Sequence, residues 1–366
     1  MYTSGSTGHP KGAVSTHRAI ITALLSWTVT AVGVKVLNGT VDQPPAHQPG
    51  ILATLPFFHV TGCNGQFLVS MLFGRKVVLL YRWQAEEAAR LIEKEKITYF
   101  SGVPTMSLEL MDVAANGRFD LSTLEDLNAG GAARPPDQAE KLQQAFPNAQ
   151  PSVGYGLTET NALGTLNGLD DYLARPASAG IASAPIVELE IRDASGQSLA
   201  AGETGEICIK SASNIRAYWN RPDETRETVL KGGWIRTGDV GYLDEQGYLY
   251  IVDRIKDIVV RGGENISCLE VEAEISAHPS VQEAAVFSVP DKRLGETVAA
   301  VVFAAGEETI AADSMQAWLK DRLAAFKIPA HIYVINEQLP RLASGKIDKR
   351  GSRDLLLEKL RLGDTP

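Results

Sequence analysis

Residues Tyr2-Thr3-Ser4-Gly5-Ser6-Thr7-Gly8-His9-Pro10-Lys11-Gly12 crowd four small hydroxyls, three glycines and a lysine into one short stretch. Glycines let backbone N–H groups approach an anion. Hydroxyls donate further hydrogen bonds, and the lysine adds charge, so the composition suits a bound phosphate. Lys11 is not followed by Ser or Thr, which separates the stretch from a Walker A loop. A flexible Gly/Ser linker has a similar composition, but it does not need Pro10-Lys11-Gly12 directly behind it.

Further groups carry chemistry when taken singly. Tyr155, in Gly154-Tyr155-Gly156-Leu157-Thr158-Glu159-Thr160, offers a flat face on which a purine can stack; the plainer reading is a core tyrosine. Glu159 is a hard oxygen ligand suited to Mg2+, which keeps waters and phosphates in its shell and needs few carboxylates. Asp239, in Thr237-Gly238-Asp239, can accept hydrogen bonds from both hydroxyls of a ribose, and Arg254 can support the same sugar. Taken alone, an Asp in that tripeptide is more often a turn residue. Lys346 follows Ser344-Gly345, a flexible pivot. A cation brought to an α-phosphate there offsets the charge that develops as a carboxylate attacks. An isolated Gly-Lys is otherwise an ordinary surface lysine.

Read in order, these segments resemble the adenylate-forming superfamily, which includes acyl-CoA synthetases, luciferases and peptide-synthetase adenylation domains. The stretch at 2–12 resembles its phosphate-binding motif. Phe57-Phe58-His59-Val60-Thr61-Gly62 resembles its aromatic-histidine motif at the acyl pocket, and 154–160 its adenine and magnesium motif. Thr237-Gly238-Asp239 with Asp253-Arg254 resembles the ribose-binding pair, Gly262-Gly263-Glu264-Asn265 the coenzyme A motif, and Pro340–Lys346 the C-terminal lysine motif. Six collinear motifs over nearly the whole chain are specific where one is weak. Leu342 stands where the family often has a small or polar residue.

The resemblance implies an acyl-CoA ligase. A carboxylic acid and ATP give an acyl-adenylate and pyrophosphate, and the coenzyme A thiol then gives acyl-CoA and AMP. It implies ATP or AMP, Mg2+ and coenzyme A as cofactors. Lys346, Glu159 and His59 are its implied catalytic residues. Thr3, Ser4, Gly5, Ser6, Thr7, Gly8, Lys11, Gly154, Tyr155, Gly156, Thr158, Asp239, Arg254, Gly262 and Gly263 are implied contacts of nucleotide or coenzyme A. Glu159 and Thr3 are implied metal ligands, and Lys256 an implied hinge. No acidic residue lies between Leu55 and Val78, which argues against an amino-acid substrate. Val60, Cys63, Gly65, Phe67 and Leu68 suit an acyl chain, and the small residues Asn128–Ala132 suit another pocket wall. Two alternatives stay open: an adenylating enzyme that loads a carrier-protein thiol, and a truncated nucleotide-binding product without turnover. The second follows from the large N-terminal region that family members carry before the phosphate loop. The chain itself opens inside that loop, so Met1 reads as an internal methionine of a longer protein or a truncated start.

Holding these groups requires an α/β scaffold. Ile51–Leu55, Lys76–Leu80, Ile97–Phe100, Leu124–Ala129 and Pro151–Val153 read as strands, with helices at Gln66–Phe73, Ala85–Lys94, Thr105–Ala115 and Asp137–Phe146 between them. Such alternation implies a parallel sheet with helical crossovers. Beyond Ser183, short strands at Val187–Arg192, Gly205–Lys210, Trp234–Thr237 and Tyr248–Val252 read as an antiparallel or barrel-like region. A compact α+β pattern follows. It has helices at Leu269–Ala277 and Ser314–Leu323 and strands at Glu283–Val289, Thr297–Phe303 and His331–Ile335. The expected organisation is a truncated adenylation domain over 1–255 and a small mobile C-terminal lid over 256–366.

With 366 residues, 44% of them hydrophobic, the chain has material for two cores. The formal net charge of -9 argues against a nucleic-acid binder. Cys63, Cys208 and Cys268 are odd in number and far apart, the pattern of reduced thiols in a cytoplasmic protein. No apolar run is expected to span a bilayer: Ala19–Val36, the nearest candidate, is interrupted by polar residues and reads as a buried or amphipathic helix. The oligomeric state stays open.

Overall fold

Apolar strands joined by helices pair in parallel, because each crossover returns the chain to the start of the next strand. In the computed structural model, Lys76–Leu79, Gly50–Ala53, Tyr99–Gly102, Asp126–Gly130 and Gln150–Tyr155 lie parallel in that spatial order. Thr165–Asn167 and Ile181–Ala182 extend the sheet antiparallel at one edge. Three of the four crossovers are helices Ala85–Glu95, Pro104–Ala115 and Asp137–Ala145. Their apolar faces, through Ala88, Ile92, Leu110 and Leu142, close on Leu52, Ile97, Phe100 and Leu127 in one core. The structure describes all residues except 4–9, 38, 132–133, 305–309, 343–344 and 362–366.

The chain divides into two compact units: Met1–Thr237 with Gly241–Ile251, and Gly238–Val240 with Val252–Pro366. The antiparallel region takes the form of an open four-stranded sheet in the order Leu249–Arg254, Trp234–Leu243, Gly205–Ser211, Val187–Arg192. The strand expected to stop at Thr237 continues to Leu243. It passes through Gly238 at φ +74°, a conformation glycine takes without steric cost.

Two expectations in the first unit need correction. The helix expected over Gln66–Phe73 starts earlier and begins as a π-helix, Thr61–Leu68, before continuing as the α-helix Val69–Phe73. At Gly62 it lies so close to the preceding turn that a Cβ would sit 2.3 Å from the Pro56 carbonyl oxygen. The segment at 19–36 is indeed helical, over His17–Leu37, but neither buried nor amphipathic. Its inward face carries the small residues Ala19, Ala23 and Ser26, while Ile21, Leu25, Val29, Val32 and Val36 form an exposed apolar stripe. Those spacings of three and four residues place the stripe on one side of the helix. At 21 residues it is also, among the described residues, the one helix long and apolar enough to cross a membrane by length and composition.

The second unit is a five-stranded sheet buried on both faces. Its centre is the antiparallel pair Val281–Asp291 and Gly295–Ala304, with His331–Ile335 parallel to the latter. Side chains alternate along a strand. Ala284, Val286, Val298 and Ala300 therefore pack against helices Cys268–Ser276 and Ala312–Lys320. Ala285, Phe287, Ala299 and Val301 face Leu356 of the C-terminal helix Lys349–Arg361, an element the sequence pattern did not announce.

Candidate active site

The phosphate-type loop stands on a short antiparallel stem. Thr3 N–H donates to the Lys11 carbonyl at 2.9 Å, Ala13 N–H donates to the Met1 carbonyl at 2.7 Å, and Tyr2 bridges Gly12. The loop's own arms thus form its base. The tip, with Ser4, Gly5, Ser6, Thr7 and Gly8, lies outside the described residues. The outgoing arm, Ala13–Val14, pairs with Ala217–Tyr218, and Trp219 N–H donates to the Gly12 carbonyl at 2.7 Å. That pairing sets Lys11 Nζ over the Tyr218 ring, 4.2 Å from its centroid. The Tyr218 hydroxyl in turn donates to Glu159 Oε1 at 2.5 Å.

Glu159 sits in a 3-10 turn, Thr158–Thr160, directly after the strand that ends at Tyr155. This is the carboxyl edge of the parallel sheet, where open α/β folds bind ligands. Glycines make the turn possible. A Cβ at Gly156 would meet the Ala162 carbonyl at 2.5 Å, and one at Gly164 the Tyr155 carbonyl at 2.4 Å. At Gly154 the nearest atom is 3.7 Å away, so crowding does not require glycine there. Tyr155 is half-buried beside the core that contains Leu163.

Asn161, unremarked in the sequence, ties the turn to its surroundings. Its Oδ1 accepts from Ser15 Oγ at 3.0 Å and Asn64 Nδ2 at 3.2 Å, and its Nδ2 donates to the Ser213 carbonyl at 2.7 Å. Gln66, on the π-helix that also carries Asn64, acts similarly. It accepts from Leu55 N–H at 3.2 Å and donates to the Ser101 carbonyl at 2.7 Å. The π-helix therefore spends its polar side on the sheet edge. Of the proposed acyl-contacting residues, Val60 is buried, whereas Cys63, Gly65, Phe67 and Leu68 are half-buried. The Phe57 and Phe67 rings pack at 5.0 Å, and Phe57 and Phe58 are exposed. His59 is half-buried at the turn before the π-helix, its carbonyl accepting from Cys63 N–H at 2.8 Å.

Thr3, Lys11 and Glu159 also fit a magnesium–phosphate group. Among the described residues, Thr3 Oγ1 is buried without a hydrogen-bond partner, an uncommon and costly state for a hydroxyl. Glu159 presents a carboxylate of which one oxygen is held by Tyr218. Hard oxygens of these two kinds, with phosphate and water, make a Mg2+ shell.

The second unit gathers another set. Arg254 Nε lies 3.1 Å from Asp239 Oδ1. Asp253, buried, accepts from Arg254 N–H at 2.7 Å and Leu269 N–H at 3.3 Å, which fastens the strand end to the N-terminus of helix Cys268–Ser276. Lys346 shares the field of this pair. Burial first, then the Arg254 guanidinium, push its ammonium down to about 8, against the opposing pull of Asp239. Its loop is pinned from behind, for Arg341 Nη1 donates to the Gly345 carbonyl at 2.8 Å while Nη2 pairs with the buried Glu283. Gly345 takes φ +83°, as the turn demands; Ser344 lies outside the described residues. Gly262 and Gly263 form the two-residue turn between Val259–Arg261 and Glu264–Ile266, at φ +61° and +95°. Two-residue hairpins favour such a positive-φ pair. Lys256 is exposed in the turn after Arg254, where Asp257 N–H donates to the Arg254 carbonyl at 2.9 Å.

Residues 1–219 match the AMP-binding enzyme family and 270–346 match the AMP-binding enzyme C-terminal domain. The chain belongs to the AMP-binding enzyme family. Its relatives include a feruloyl-CoA synthase from Amycolatopsis sp, 38% identical over 95% of this chain and 68% of that protein. A long-chain-fatty-acid–CoA ligase from Bacillus subtilis is 34% identical over 96% of this chain and 60% of the other. Among solved structures, o-succinylbenzoate coenzyme A synthetase from Bacillus subtilis, in complex with ATP and magnesium ion, superposes with a TM-score of 0.81. It is 30% identical and is covered to 69% by 97% of this chain. The chain thus spans about 60–69% of the length of these AMP-binding enzymes.

Proposed function

We propose that this AMP-binding enzyme is an acid–thiol ligase that activates an apolar or aromatic carboxylic acid with ATP and transfers the acyl group to coenzyme A. The observation that carries the reading is the triad Asp239, Arg254 and Lys346, which lie in one electrostatic field. A carboxylate accepts from the ribose hydroxyls. A depressed but still largely protonated ammonium at neutral pH meets the charge that grows on the α-phosphate. Thr3 and Glu159 would hold Mg2+, which would supply positive charge to the phosphates, and Lys11 adds its own charge beside them. The carboxylate oxygen attacks the α-phosphorus and the bond to pyrophosphate breaks. The coenzyme A sulfur then attacks the acyl carbon, AMP leaves, and the thiol proton passes to solvent. An apolar acid is supported by the absence of acidic residues between Leu55 and Val78 and by the half-buried Cys63, Phe67 and Leu68.

Acid-dependent exchange of labelled pyrophosphate into ATP tests the proposal. Exchange with long-chain or cinnamic-type acids and none with amino acids is the expected result. Silence across both acid classes in a protein that binds ATP would overturn it.

A further inference from the structure

We propose that Tyr218 is the residue that positions both charged side chains at the phosphate end of the nucleotide site, Glu159 through its hydroxyl and Lys11 through its ring. The inference rests on the nucleotide reading above and names a residue outside all six motifs. Tyr218 is 4% exposed, so its ring and hydroxyl are fixed by packing against Ala13, Ile215 and Ile235. Two backbone tethers place it. Its strand pairs with the outgoing arm of the loop, Ala13 opposite Tyr218, and its N–H donates to Thr225 Oγ1 at 2.9 Å.

The two contacts differ in kind. The hydroxyl donates to one carboxylate oxygen of Glu159, which leaves the other to a cation. The ring face seats the Lys11 ammonium, an attraction set by the aromatic quadrupole and independent of the hydroxyl. One side chain therefore contacts both a cation and an anion of the site.

The separability of the two contacts gives the test. Calorimetric titration with ATP, with and without Mg2+, is made on wild type, Tyr218→Phe, Tyr218→Leu, Glu159→Gln and the double variant Glu159→Gln/Tyr218→Phe. Thermal unfolding confirms that each is folded. Tyr218→Phe keeps the ring and is expected to weaken ATP binding about tenfold in Mg2+, as loss of a hydrogen bond to a charged group does, and less than threefold without it. Tyr218→Leu weakens both. In the Glu159→Gln background, Tyr218→Phe adds little, because the two changes remove one interaction. Equal weakening by Tyr218→Phe with and without Mg2+, or full additivity in the double variant, would reduce the hydroxyl to packing and overturn the inference alone. A folded wild type that binds ATP under neither condition would overturn the nucleotide reading itself.

Discussion

Asn161 can be replaced so that its side-chain and backbone roles separate. Its amide makes three hydrogen bonds, and its backbone sits at φ +54°, where asparagine and glycine are tolerated and alanine is not. Asn161→Gly removes the bonds and leaves the backbone unstrained. The Asn64 amide and the Ser213 carbonyl, both buried, then lose a partner. Each such orphan costs about 1–3 kcal/mol, so the variant should lose about 2–6 kcal/mol. Asn161→Ala adds the steric cost of the left-handed region, about 1 kcal/mol more. Urea unfolding followed by tryptophan fluorescence is the assay. Trp27, Trp83, Trp219 and Trp234 lie in the first unit and Trp318 alone in the second, so the signal mainly follows the unit that contains Asn161. An Ala variant as stable as the Gly variant would refute the strain argument. Two variants within about 0.5 kcal/mol of wild type, the range of inert surface changes, would refute the hub itself.

Other outcomes follow from the same geometry. Lys346 is pushed down to about 8, below its ordinary 10.5, so its half-buried charge opposes folding below about pH 8 and that penalty fades as the pH rises from about 8 to about 10.5. Lys346→Met should therefore stabilise the second unit at pH 7 and lose the advantage by about pH 10.5, as pH-resolved thermal unfolding will show. Pyrophosphate exchange, read as kcat/KM, should fall above about pH 8 in wild type, and Lys346→Arg should remove that alkaline limb if it retains activity. Gly62→Ala places a methyl within 2.7 Å of two carbonyl oxygens and should cost about 3 kcal/mol, seen as a lowered unfolding midpoint. Lys256→Pro fixes φ in an exposed turn. If Lys256 is the hinge, pyrophosphate exchange persists while acyl-CoA formation from acyl-adenylate collapses; normal rates in both would refute the hinge.

The parallel sheet was legible because its strands are short apolar runs between helices with clear periodicity. Val187–Arg192 and His331–Ile335 match their expected limits, while Ile97–Phe100 proves to be Tyr99–Gly102. The C-terminal helix was not legible, since Leu355, Leu356 and Leu357 are consecutive and Gly351 interrupts the charged run before them. The His17–Leu37 helix was misjudged because its two apolar faces differ in residue size rather than polarity. Motifs exposed the charged groups that the proposed function assigns to the ligand, such as Asp239 and Lys346. They did not expose Tyr218 or Asn161. Both act by holding a group distant in sequence, and no local spacing marks such a partner.

The π-wound stretch Thr61–Leu68 bears on how the proposed acyl wall can change over time. Its backbone bonds reach one residue further than those of an α-helix, so it houses an extra residue in the same span. Loss of a single codon would let the stretch rewind as an α-helix and rotate every later side chain about the axis. Cys63, Phe67 and Leu68 would then trade places with neighbours that now face the sheet. The proposed acyl wall is thus open to drift by length as well as by substitution, with Gly62 as the fixed point from which the register is counted.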